Sequence, residues 1–175
     1  VIAYDFVSAA PQSLDELQTE IFVLPFFSDE RPLRGAAGLI DWRLCGALSR
    51  KLMAGHLDGH FGEKALISAP PKLKSEGLLL VGLGASVAFD TGVAERACSL
   101  IAEALTDAKV STAAIALPGR SMGLLPALDS MQLWLAASPR DGELEEVSII
   151  ESAEEHRALD SLFDGLRRQS ESPLD

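Results

Sequence analysis

Two short apolar runs constrain this chain more than any other feature. Ile21–Phe27 is long enough for a buried strand and too short for a helix. Leu78–Leu83, closed by Gly84, suits a central strand covered on both faces. Further strands are expected at Val1–Ser8, Ala65–Ala69, Thr112–Leu117 and Val147–Ile150. Helical apolar spacing fills the gaps. One helix is predicted over Gly35–Ala54, with Ala37, Ile40, Leu44, Ala47, Leu48 and Leu52 near one face. A second follows a cap at Asp90 or Thr91 and buries Ala94, Ala97, Cys98, Ile101, Leu105 and Ala108. A third spans Leu124–Ala137 with the stripe Leu124, Leu128, Met131 and Leu135. Ser13-Leu14-Asp15-Glu16 and Ser152-Ala153-Glu154-Glu155 have capping-box form, one starting a short turn and the other a last helix on Leu159, Leu162, Phe163 and Leu166. Arg167 and Arg168 sit where the dipole of that helix favours cations. Strands alternating with helices predict a three-layer α/β fold with a mixed, mostly parallel sheet. At 175 residues the chain reads as one domain, 1–175, with a frayed tail over 169–175.

Composition narrows the partners. A formal charge of −11 repels polyanions, so neither nucleic acid nor an anionic membrane surface is expected as a partner. The acids crowd late, at Glu143, Glu145, Glu146, Glu151, Glu154, Glu155, Asp160 and Asp164, as a solvated face or a docking patch for a basic partner. No apolar run reaches the roughly 18 residues of a membrane helix, and the first residues lack the basic head of a signal peptide. Cys45 and Cys98 lie in helical apolar patterns without disulfide spacing, so both read as buried thiols and the expected location is cytoplasmic.

Ligands of such sheets bind beyond the carboxyl ends of strands, near helix N-termini. Three loops qualify. Arg31 to Gly38 offers Arg31, Arg34, Gly35 and Gly38; Val81 to Ser86 offers Gly82 and Gly84; Pro118 to Gly123 offers Gly119, Arg120, Ser121 and Gly123. Guanidinium groups and free backbone N–H groups could hold a phosphate. The alternative for each loop is a tight turn that needs glycine. His56, Asp58, His60 and Glu63 are metal-ligand types, but Gly55, Gly59 and Gly62 make this a loop of solvent-facing histidines, and no metal site or cofactor is expected. No nucleophile elbow, P-loop or catalytic triad is visible, so no catalytic residue is assigned.

The order of Leu14-Asp15-Glu16-Leu17, Ile21–Phe26, Leu33-Arg34-Gly35-Ala36-Ala37, Gly46-Ala47-Leu48-Ser49, Gly55 through Gly62, Leu79-Leu80-Val81-Gly82-Leu83-Gly84 and Ala114–Pro118 resembles the N-terminal domain of the leucyl aminopeptidases of peptidase family M17. That resemblance implies a macro-domain-like α/β fold. It also implies that the two catalytic metal ions belong to a separate C-terminal domain, marked by an N-T-D-A-E-G-R stretch absent from these 175 residues. The expectation is a stand-alone, non-catalytic domain that acts by self-association, as a homo-oligomer, or by binding a protein partner. Kinship with macro domains implies an alternative, a module for ADP-ribose or another phosphate ligand. Ser121 to Pro126 is similar to their second phosphate loop and Gly35–Gly38 to their first, whereas the acid that would meet adenine has no evident counterpart, Asp5 lying in a strand and Asp29 in a loop. A subunit of a metallo-aminopeptidase is the third reading.

Overall fold

The computed structural model describes residues 1–171; residues 172–175, part of the tail expected to fray, lie outside them. Six strands form one sheet: β1 (Ala3–Ser8), β2 (Ile21–Phe26), β3 (Lys64–Ser68), β4 (Gly77–Gly82), β5 (Thr112–Ala116) and β6 (Glu146–Glu151). Their order is β1-β6-β5-β2-β4-β3. All pairs are parallel except the edge pair β3–β4. Every residue of β2 and β4 is buried, as central strands require.

Helices α1 (Pro11–Glu16), α2 (Gly35–Arg43) and α3 (Ala47–Met53) cover one face, packing Leu14, Ala37, Ile40, Leu48 and Leu52 on Phe22, Leu24, Leu78 and Leu80. Helices α4 (Thr91–Ala108), α5 (Ala127–Ala137) and α6 (His156–Glu171) cover the other, packing Ile101, Leu105, Met131, Trp134 and Phe163 on Val23, Val81, Ile115 and Ile149. The architecture is the three-layer, mostly parallel α/β fold the sequence predicts.

Several local expectations change. The single helix over Gly35–Ala54 is two helices. Cys45 (φ 55°) and Gly46 (φ 78°) take left-handed conformations that end α2. The buried Asp41 carboxylate then accepts the backbone N–H groups of Leu48 (2.8 Å) and Ser49 (3.2 Å), stabilising the start of α3. Because of this break Cys45 is exposed, contrary to the expectation of two buried thiols; Cys98 is buried, and burial pushes its pKa up to about 12. Ser13 lies inside α1, which starts at Pro11 instead. The Ser152 box forms a turn, with Glu155 N–H donating to the Ser152 carbonyl, and α6 starts at His156. Asp90 does cap α4, accepting the Val93 N–H. On α5 the buried set is Ala127, Ser130, Met131 and Trp134, whereas Leu124 and Leu128 of the expected stripe are exposed. The helix begins three residues later than expected, which leaves Leu124 in the preceding loop.

Two measurements check this packing. A native chain should titrate one thiol per molecule with Ellman's reagent, Cys45, and Cys98 only after unfolding. Met131→Ala should lower unfolding stability by about 2–5 kcal/mol in urea titrations, while Leu124→Ala should stay within about 1 kcal/mol.

Candidate functional site

Pro25 opens the site. It has no N–H for the ladder, and in a central strand that is unusual. β2 pairs with β4 from Ile21 to Phe26, but with β5 only from Ile21 to Val23. The carboxyl ends of β2 and β5 therefore part. Beyond that point the β2 loop leads to α2 on one face and the β5 loop to α5 on the other, which is the topological switch point where α/β sheets place ligands.

The structure brings all three glycine loops together here, and they fill one another. An added Cβ on Gly35 would stand 3.3 Å from Ser121 Cβ, and one on Gly119 2.7 Å from the Phe89 ring. Phe27 and Phe89 meet edge to face at 5.0 Å. Ser28 N–H donates to the Gly84 carbonyl at 2.9 Å, and the Asp29 carboxylate accepts Ser86 N–H at 2.8 Å and the Ser86 hydroxyl. Those two bonds hold the Asp29 carboxyl below its ordinary range. An added Cβ on Gly82 would strike the His60 carbonyl oxygen at 2.1 Å, whereas Gly84 has ordinary contact room against Phe61 and is constrained by its left-handed backbone (φ 77°). Gly38 lies within α2 against the Leu33 carbonyl. Gly123 is exposed.

The cations have different fates. Arg31 and Arg34 are exposed, and Arg31 Nη1 donates to the Glu30 carbonyl at 3.0 Å. Arg120 is engaged on every nitrogen. Its Nε and Nη2 reach the Glu151 carboxylate at 2.8 and 3.1 Å, and its Nη1 donates to the Leu125 carbonyl at 2.7 Å. Glu151 is only 7% exposed, so this two-pronged ion pair ties the β5 loop to the end of β6. These bonds raise the Arg120 pKa further.

Sequence reasoning missed Glu30. It sits in a polar loop, yet it is 1% exposed and neither carboxylate oxygen has a hydrogen-bond partner. Burial pushes its carboxyl above the ordinary range; the nearby Ser121 hydroxyl, Phe27 backbone, Arg34 and Arg31 pull the other way without cancelling it. Only the meeting of the loops reveals this, and no residue spacing signals it.

The second cluster of ligand types lies in the loop beside Gly82. Asp58, His60 and Glu63 bring their ligand atoms within 4.8 Å of one another. His56 stands apart, and both histidines are exposed. The groups brace the loop itself: Glu63 accepts Gly59 N–H at 2.7 Å, and Asp58 accepts His60 N–H at 2.8 Å and meets His60 Nδ1 at 2.5 Å. The Asp58 hydrogen bond raises the His60 pKa. At the opposite end of the sheet, Tyr4, Leu135, Arg140, Phe163 and Leu166 line a groove of about 540 Å³.

Solved structures define the fold. The macrodomain of Mycobacterium tuberculosis DarG superposes with a TM-score of 0.66 at 13% identity, covering 87% of this chain and 100% of that one. An Oceanobacillus iheyensis macrodomain solved with ADP gives 0.63 at 13%, covering 87% and 88%. The fold is macrodomain-like. A tomato leucine aminopeptidase mutant gives 0.62 at 17%, covering 91% of this chain and 35% of that one. Residues 23–126 match the N-terminal domain of the cytosol aminopeptidase family, and the chain belongs to that family. A probable cytosol aminopeptidase of Haemophilus ducreyi is 36% identical over 77 residues, 44% of this chain and 15% of the relative. One from Azotobacter vinelandii is 39% identical over the same length, again 15% of the relative. The aligned part is thus a small share of those enzymes.

Removing Arg120 would leave Glu151 buried and unpaired. Arg120→Ala should cost about 3 kcal/mol in a urea titration, with Arg120→Lys retaining part of that.

Proposed function

We propose that this domain works by association, with a second copy of itself or with a protein partner, and carries out neither peptide hydrolysis nor phosphate binding. The observation that carries this reading is the filling of the switch point. Its best-placed arginine, Arg120, is spent on Glu151 and Leu125, and a buried acid, Glu30, lies where the β2 and β5 loops meet, which disfavours an anion there. Meanwhile the two loops joined by Phe89 and Gly119 turn apolar side chains outward: Val87 is 94% exposed, and Leu124 and Leu128 follow on the α5 side. Exposed apolar side chains near the filled edge, on a chain otherwise this acidic, favour a contact surface.

A cytosolic setting belongs to the same proposal, supported by the name of the family. No described helix is long and apolar enough to cross a membrane. The competing reading, a module for ADP-ribose or a related phosphate compound, draws on the ADP-bound macrodomain and on the exposed Arg31 and Arg34.

Light scattering at micromolar concentration should give a multiple of the 18.6 kDa chain mass, or a pull-down should recover a stoichiometric partner. Leu124→Ser with Leu128→Ser should weaken that association by about 10-fold or more, since each buried leucine contributes about 1.5–3 kcal/mol. Calorimetry with ADP-ribose should show no heat, and a leucine-anilide assay with manganese or zinc no turnover. A monomeric mass together with ADP-ribose binding would select the competing reading.

A further inference from the structure

A buried polar group without a partner demands a physical explanation. Glu30 is such a group, and its place gives it leverage. The loop carrying it is pinned on both sides: Glu30 N–H donates to the Phe27 carbonyl at 3.1 Å, and Asp29 is bonded to Ser86 of the β4 loop. Gly35, four residues after Arg31, packs against Ser121 of the β5 loop. Glu30 thus lies where the β2 and β5 loops meet. The groups facing it are the Ser121 hydroxyl, the Phe27 backbone, Arg34 and Arg31. Among the described residues none of these forms an ion pair or hydrogen bond with its carboxylate.

A neutral carboxyl can stay there at modest cost, but an ionised one cannot without a cation in contact. Two cations stand outside on the same loop: Arg31 and Arg34 are exposed. We propose that Glu30 is the latch of a pH-gated loop end: uncharged it holds the Arg31–Gly35 segment down on Ser121, and charged it leaves, so that the two loops part. Opening would let the carboxylate reach water, Arg31 or Arg34, and would bare the first N–H groups of α2. The moving segment is held by few bonds of its own: Arg31 N–H donates to the Asp29 carbonyl, Leu33 is buried in the core, and Arg34, the residue before α2, makes no side-chain cap. Arg120 stays put, held by Glu151 and Leu125. The gate is therefore the β2 loop, and the β5 loop is its fixed seat. The inference rests on the same buried Glu30 as the association reading, but hydrogen exchange tests it apart from the oligomeric state.

The direction follows from linkage. In the open state the carboxyl titrates in the ordinary range, and in the closed state above it. Closure is thus fully supported below the ordinary range and is lost as pH rises toward the closed-state value. Across that window the opening equilibrium should grow up to 10-fold per pH unit.

Hydrogen exchange at a series of pH values, each rate divided by the intrinsic chemical rate, reads this directly. Unlike the amides of Arg120 and Gly123, which are bonded within the β5 loop and should not respond, those of residue 31 and residues 33–36 should open increasingly with pH in the native protein. In Glu30→Gln the same amides should be protected and independent of pH, while β4 amides behave alike in both proteins. A pH slope shared by Glu30→Gln, or one spread equally over β4, overturns the proposal. If the variant does not fold, carbon-13 titration of the Glu30 carboxyl in the native chain decides: a midpoint in the ordinary range rejects the latch, and a raised midpoint coincident with the exchange transition upholds it.

Discussion

A proline in a central strand removes one rung of the ladder and forbids a neighbour from closing up on that side. Pro25 does this in β2, and the loop end of the molecule follows from it. β2 stays with β4 to Phe26 but leaves β5 after Val23. The gap lies where the chain departs to opposite faces of the sheet. In a sheet of this kind such a gap must be filled by a ligand, by water or by protein. Here protein fills it, through Phe27, Phe89, Ser121 and Glu30.

The filling is electrostatically uneven. Two carboxylates are buried at this end and are treated in opposite ways. Glu151, 7% exposed, receives a two-pronged guanidinium and the Ser152 N–H. Glu30, 1% exposed, receives nothing. The first locks the β5 loop to β6, because parting the pair would strand a charge. The second makes the β2 loop depend on a proton. One loop is rigid and its neighbour is conditional, although both rest on the same pair of strands.

Membership of the cytosol aminopeptidase family places the domain beside enzymes of which it aligns with only a small part, and the macrodomain-like fold places it beside domains one of which was solved with ADP. Neither likeness dictates what the edge does. That is decided by side chains, and here the guanidinium of the β5 loop faces a glutamate.

Most of the fold was legible in the residues. Apolar runs too short for helices forced strands, the 3.6-residue stripes between them forced covering helices, and connection of strand to helix forced a mostly parallel sheet, because local pattern and burial agree over those segments. The three glycine loops were legible as neighbours at the carboxyl end of the sheet. Their contents were not. Whether Arg120 is free depends on Glu151, 31 residues away. Whether Cys45 is buried depends on Asp41 reaching across a left-handed turn to cap α3. Leu124 and Leu128 have helical spacing with Met131, yet the packing of α5 turns Ala127, Ser130 and Trp134 inward beside Met131 instead. Glu30 looks like any loop acid until the loops close over it. Hydrophobic periodicity is a property of neighbours along the chain and can be read there; charge pairing and desolvation belong to neighbours in space, and only the tertiary structure decides them.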